Sequence, residues 1–181
     1  VHGVMAVVPY YNKPNQEGCY LHFKAVADST DLPVMLYNVP GRTGGRIEPQ
    51  TVARLAKECP NITSIKEATG DIKIIQQLHE LLPTNEFMIY SGDDALTLDV
   101  IQNGGAGVIS VAAHIVGNKM QEMIGLFRQG KVKEARAIEL SLVPILKAMF
   151  ITTNPIPVKY AMKQLGFTTG PLLLPLCDPS V

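Results

Sequence analysis

Three residues in two short stretches could do carbonyl chemistry together. "ITSIKEA" (62–68) carries Lys66 near its end, and "PVMLYNVPG" (33–41) carries Tyr37, followed closely by Arg42. Both stretches read as strands. Side chains alternate along a strand, so Ile62, Ser64 and Lys66 are expected on one face, and Met35 and Tyr37 on one face of theirs. If the two strands are neighbours they lie about 4.8 Å apart. Lys66 and Tyr37 would then enter one space at the carboxyl ends of the strands, where α/β active sites form. Withdrawal from water favours the neutral amine over the ammonium. A neutral amine attacks a carbonyl to form a Schiff base. A phenol beside it can carry protons while water is lost. The competing reading is a solvated strand-end charge, or one paired with Glu67. Arg42, in a Gly/Pro-bounded loop, suits two-point capture of a carboxylate; its alternative is an ordinary solvated loop arginine. "PYYNKP" (9–14) places Tyr10 and Tyr11 just past another strand. Facing opposite ways, one could serve a site while the other packs at an interface.

The elements that must position these groups alternate with a period of roughly 25 residues. Strands are expected at 3–11, 33–41, 62–68, 86–92 and 106–113. Helices are expected at 15–30, 48–59, 71–82 and 94–104. Pro49 suits a first helical turn, and Asp71 an N-cap. After residue 113 the pattern turns helical, at 118–130, 131–150 with a kink at Pro144, and 156–166; the tail "PLLLPLCDPSV" has no helical period. Successive strand–helix units imply a parallel α/β sheet with right-handed crossovers. An open doubly wound sheet and part of a (β/α)8 barrel both fit. No G-x-G-x-x-G follows the first strand, which weighs against dinucleotide binding. "NGGAG" (103–107) leads into a strand and not into a helix, so it reads as a tight turn and not a phosphate cradle.

Composition sets outer limits. The chain has 181 residues, 46% of them hydrophobic and 18% charged, with formal net charge zero. That is a globular composition with no electrostatic reason to bind nucleic acid or an anionic membrane. No apolar run approaches the roughly 20 residues of a spanning helix, and no signal peptide is visible. Cys19, Cys59 and Cys177 form no C-x-x-C pair, which fits reduced thiols in the cytoplasm better than disulfides or zinc. His2, His22, His79 and His114 show no metal-ligand spacing. In "SGDD" (91–94) the two aspartates are expected to cap the helix that follows.

"PYYNKP", "LYNVPGRTG", "SIKEATGD", "SGDD", "GVISV" and "NPIPVKYAMKQLG" occur in an order and spacing that resembles the dihydrodipicolinate synthase family. That family lies within the pyruvate-dependent class I aldolases. The resemblance covers almost the whole chain. It implies a (β/α)8 barrel, present over residues 1–116 as five strand–helix units, and a C-terminal helical region over 117–181. It implies Lys66 as the Schiff-base lysine for pyruvate, with no other cofactor and no metal. Tyr37 and Tyr11 match the proton-relay tyrosines, Tyr11 being lent to a neighbouring subunit. Tyr10 matches an interface position, Arg42 the ligand of the aspartate semialdehyde carboxylate, and Gly92 and Ile109 the lining of the pyruvate pocket. A homotetramer of tight dimers is implied. N-acetylneuraminate lyase and the keto-deoxy-sugar-acid aldolases share the lysine and tyrosine; "GRTG" and "KEATGD" favour the synthase. A complete barrel takes about 250 residues, and the five strands resemble the fourth to eighth. The family's "GTTGE"-type segment is not found, so a non-catalytic half barrel is the rival from another class.

Overall fold

A computed structural model describes residues 1–82 and 86–179. It contains five parallel strands in the order β1-β2-β3-β4-β5: Val4–Val7, Val34–Asn38, Ile62–Glu67, Met88–Ser91 and Gly107–Val108. Between them run α1 (Gln16–Asp28), a single turn α2 (Pro40–Thr43), α3 (Pro49–Glu58), α4 (Ile72–Leu81) and α5 (Thr97–Gln102), the last preceded by a 3₁₀ turn at Asp94–Leu96. Sequential strand order with a helix after each strand is the run of a (β/α)8 barrel, of which this chain carries five units. The open doubly wound alternative is thereby set aside, because its strand order reverses partway across the sheet.

The helices start where local chemistry directs them. Asn15 caps α1 by accepting from the Gly18 amide, and Asp71 caps α4 by accepting from the Lys73 amide. Pro49 opens α3. Asp93 caps the 3₁₀ turn, whereas Asp94 lies buried within it.

The sheet has two unlike faces. Val8, Leu36, Ile65 and Ile89 look toward the helices and pack in one core with Phe23, Leu55, Ile75 and Leu78. Each fully buried side chain of this kind is worth about 1.5–3 kcal/mol. The other face carries Met5, Met35, Tyr37, Lys66, Met88 and Tyr90, all half-buried or exposed. Ile62 departs from the expected alternation. The register shifts from Val34↔Ile62 to Met35↔Ser64, which leaves Thr63 as an extra residue. Ile62 therefore joins the helix-facing core, while Ser64 and Lys66 stay together on the other face.

Contacts divide the chain into two compact units, Val1–Ile109 and Ser110–Val181, a division earlier than the one expected at 116. The second unit holds α6 (Ala113–Arg128), α7 (Val132–Ala148) and α8 (Ile156–Gln164). The expected strand 106–113 shrinks to Gly107–Val108, and α6 begins five residues ahead of the expected 118. Ser110 explains this. Its Oγ accepts the Ala113 amide at 2.8 Å and starts a helix in a stretch whose composition favours a strand. Helical dihedrals break at Val116 in α6, while Pro144 sits inside α7. The tail after α8 forms no helix up to residue 179; its last two residues lie outside those described. Cys19 and Cys59 are buried and Cys177 exposed, all as free thiols. Among the described residues no helix is long and apolar enough to cross a membrane, and no three His, Cys, Asp or Glu side chains cluster as metal ligands.

Candidate active site

Tyr37 and Lys66 are direct partners across β2 and β3. The Lys66 ammonium nitrogen lies 4.2 Å from the centroid of the Tyr37 ring. Lys66 makes no ion pair among the described residues. Glu67, the neighbour that could have paired with it, points to the opposite face, where it is buried and hydrogen-bonded to Asn38 and Thr69. The row continues sideways: Tyr37 pairs with Val7, Lys66 with Tyr90, and Tyr90 with Gly107.

Two further positions, at the carboxyl ends of β4 and β5, are defined by backbone. A Cβ on Gly92 would stand 2.6 Å from Ala68 Cβ, a clash, and 3.2 Å from Lys66 Cε, so glycine fits here where a side chain would press on Ala68 and crowd the lysine stem. The Gly92 amide donates to the Glu67 carbonyl at 2.7 Å, which locks the end of β4 to that of β3. The Ile109 amide donates to the Ser91 carbonyl at 2.9 Å, extending the β4–β5 ladder one residue past β5. Ile109 is half-buried.

Arg42 lies on the exposed side of α2 and not in an irregular loop. Pro40 presets the first helical dihedral, the Val39 carbonyl accepts from Arg42 and Thr43, and Gly44 closes the turn at φ 72°. Tyr10 and Tyr11 follow β1 but do not alternate as on a strand, because the strand has ended at Val7. Tyr11 has φ 67° and the Asn12 amide reaches back to the Tyr10 carbonyl at 2.8 Å, a tight γ-turn. Both tyrosines are exposed, 68% and 89%. Among the described residues no hydrogen bond joins either to Tyr37 or Lys66. The same loop meets the α2 loop at Lys13, whose Cε would lie 2.8 Å from a Cβ on Gly44.

The Dihydrodipicolinate synthetase family model matches residues 1–180. The chain belongs to that family. It is 54% identical over 178 residues to a 4-hydroxy-tetrahydrodipicolinate synthase of Desulforudis audaxviator, covering 98% of this chain and 60% of that protein. It is 54% identical over 179 residues to the protein of the same name in Nostoc punctiforme, again 98% and 60%. Among solved structures, the lysine-bound family enzyme of Cyanidioschyzon merolae superimposes with a TM-score of 0.96 at 44% identity, over 99% of this chain and 61% of that one. That of Aquifex aeolicus gives 0.95 at 42%, over 99% and 61%. The chain spans about 60% of the length of the relatives it matches.

Within the family frame, one polar group escaped sequence reasoning. Asn38 and Glu67 are 1% and 4% exposed on the helix-facing side of the sheet. The Asn38 amide nitrogen donates to Glu67 Oε2 at 2.8 Å, and the Thr69 amide donates to Oε1 at 2.7 Å. The available signal was alternation itself: it puts Asn38 behind Leu36 and Glu67 behind Ile65, at positions that ought to be apolar. Burial pushes the Glu67 carboxyl above its usual value of 4.5, against the pull of its hydrogen bonds from Asn38 and Thr69. The folded state therefore holds this proton more tightly than the unfolded chain. Its stabilising contribution is complete below the unfolded value and is lost as pH rises through the folded value. Relative to Glu67→Gln, the unaltered protein should gain stability as pH falls from neutrality toward 4.5. Urea midpoints of both proteins at neutral and mildly acidic pH test this; a pH-independent difference would refute it.

Proposed function

We propose that this chain carries the Schiff-base machinery of 4-hydroxy-tetrahydrodipicolinate synthase, which condenses pyruvate with L-aspartate 4-semialdehyde in diaminopimelate and lysine biosynthesis. The observation that carries the reading is the Lys66 nitrogen held over the Tyr37 ring at the carboxyl ends of paired strands, in a chain of this family. In this reading the Lys66 nitrogen attacks the keto carbon of pyruvate. Water leaves, its oxygen coming from the ketone, and an imine remains. Tyr37 relays the protons of that dehydration. Loss of a methyl proton gives an enamine, with the imine nitrogen taking the electron pair. The enamine carbon attacks the aldehyde of the second substrate. The amine of that substrate then attacks the imine carbon, closes the ring and releases Lys66. Arg42 binds the carboxylate of the semialdehyde. Gly92 and the Ile109 backbone line the pyruvate pocket.

Tyr11 completes the relay in a neighbouring subunit, and Tyr10 packs at the same interface. The exposure of both tyrosines and the left-handed backbone of Tyr11 support a role outside their own subunit. The assembly is a homotetramer of tight dimers, working in the cytoplasm. The imine itself is the electron sink, so the reaction calls for no further cofactor.

The test is incubation with pyruvate and borohydride, followed by peptide mass mapping. Reduction of the imine leaves Lys66 heavier by pyruvate less water plus two hydrogens. An adduct on Lys66 supports the proposal; adducts scattered over the exposed lysines, or none, would overturn it for this chain.

A further inference from the structure

We infer that Asn38 and Glu67 are a positioning pair: their hydrogen bond on the helix-facing side of the sheet holds Tyr37 over Lys66 on the opposite side and anchors the segment carrying Arg42. The inference deepens the reading above and rests on it for its catalytic meaning. The register Tyr37↔Lys66 is followed at once by Asn38↔Glu67. Successive residues face opposite ways, so the second pair is the reverse side of the first. Any slip or twist between β2 and β3 that displaced Tyr37 from Lys66 would have to break the Asn38–Glu67 bond.

Asn38 does more than pair with Glu67. Its amide nitrogen also donates to the Ile47 carbonyl at 3.2 Å, and its oxygen accepts the Ile47 amide at 3.3 Å. Residues 39–46, with α2 and Arg42, thus form a loop whose two ends are tied through one side chain. Glu67 in turn fixes the turn after β3 through the Thr69 amide. Backbone bonds complete the lock: Ala68 donates to the Asn38 carbonyl at 2.9 Å and Gly92 to the Glu67 carbonyl at 2.7 Å.

A core role alone does not account for these residue types. Leu36 and Ile65 fill the preceding positions of the same face with apolar side chains that are 0% exposed. Burying an amide and a carboxyl there costs desolvation, and an apolar pair of similar volume is often equally stable. A directional donor–acceptor pair adds something an apolar pair lacks, namely one register.

Two variants separate position from stability: Asn38→Leu/Glu67→Leu, which removes both partners together, and Glu67→Gln, which keeps the volume and one accepting oxygen. Three quantities are compared with the unaltered chain. The first is the thermal midpoint. The second is the upfield ring-current shift of the Lys66 side chain under Tyr37, assigned by its loss in Lys66→Arg. The third is the rate of pyruvate trapping at saturating pyruvate. The double variant also leaves the Ile47 amide and carbonyl and the Thr69 amide without their side-chain partners, so its midpoint should fall; in the protein still folded below that midpoint the ring-current shift should fall by half or more. Trapping should slow roughly 10- to 100-fold, the scale of a misplacement of about 1 Å. Glu67→Gln should lie between. A ring-current shift unchanged in both variants overturns the inference. Should the double variant not fold, Glu67→Gln decides by the same shift. If the unaltered chain forms no pyruvate adduct, the catalytic reading fails on its own, and the ring-current shift still decides whether the pair positions Tyr37 and Lys66.

Discussion

Lys66→Ala will abolish the borohydride-trapped pyruvate adduct while leaving the fold intact. The loss should be complete because, in the proposed reaction, the imine nitrogen is the Lys66 nitrogen, which alanine lacks. The fold should survive because Lys66 contributes little to packing. It is half-buried, forms no ion pair among the described residues, and holds its nitrogen 4.2 Å from the Tyr37 ring centroid. A cation over an aromatic ring at a partly exposed site is worth about 0.5–1 kcal/mol, so the thermal midpoint should fall by a few degrees at most. Lys66→Arg sharpens the test. It restores a cation above Tyr37, but a guanidinium does not deprotonate at physiological pH and cannot attack the ketone. An adduct of normal yield in either variant would remove Lys66 from the chemistry.

Tyr37→Phe is expected to slow imine formation by about 10²–10⁴-fold, the usual worth of a positioned proton carrier. The substitution keeps the ring, so the platform beneath Lys66 and the pairing of β2 with β3 persist. Only the hydroxyl is removed. Forming the imine requires protons to move off nitrogen and onto the departing oxygen, and without the phenol those transfers fall to solvent. Single-turnover trapping at several pyruvate concentrations would separate the two roles. The saturated rate should fall with little change in half-saturating concentration. A rise in half-saturating concentration at constant saturated rate would instead make Tyr37 a binding group.

The sequence by itself determined the repeating strand–helix order and the parallel sheet, and it brought Tyr37 and Lys66 together on the condition that their strands pair. These follow from local rules. Hydrophobic period and caps mark each element, and side-chain alternation then sorts the two faces. Consecutive parallel strands joined by a helical crossover usually become neighbours, which brings residues near their carboxyl ends into one space. The family was legible for the same reason, because most of its motifs sit at those strand ends.

Only the tertiary structure decided the rest, and in each case the deciding contact was remote or the local signals conflicted. Ile62 changed face because β3 carries one extra residue against β2, and a bulge is a property of two strands and not of one. Arg42 came to sit on a helical turn because Pro40 and Gly44 bracket just enough residues to close one. The last strand was cut short by Ser110, whose side chain outcompeted the strand preference of its neighbours. The bond between Asn38 and Glu67 joins residues 29 apart in sequence. Alternation could mark both as polar side chains at apolar positions, but pairing them needed the register. That register is also what sets a lysine and a tyrosine of separate strands side by side, with a buried donor and acceptor paired on the reverse of the sheet.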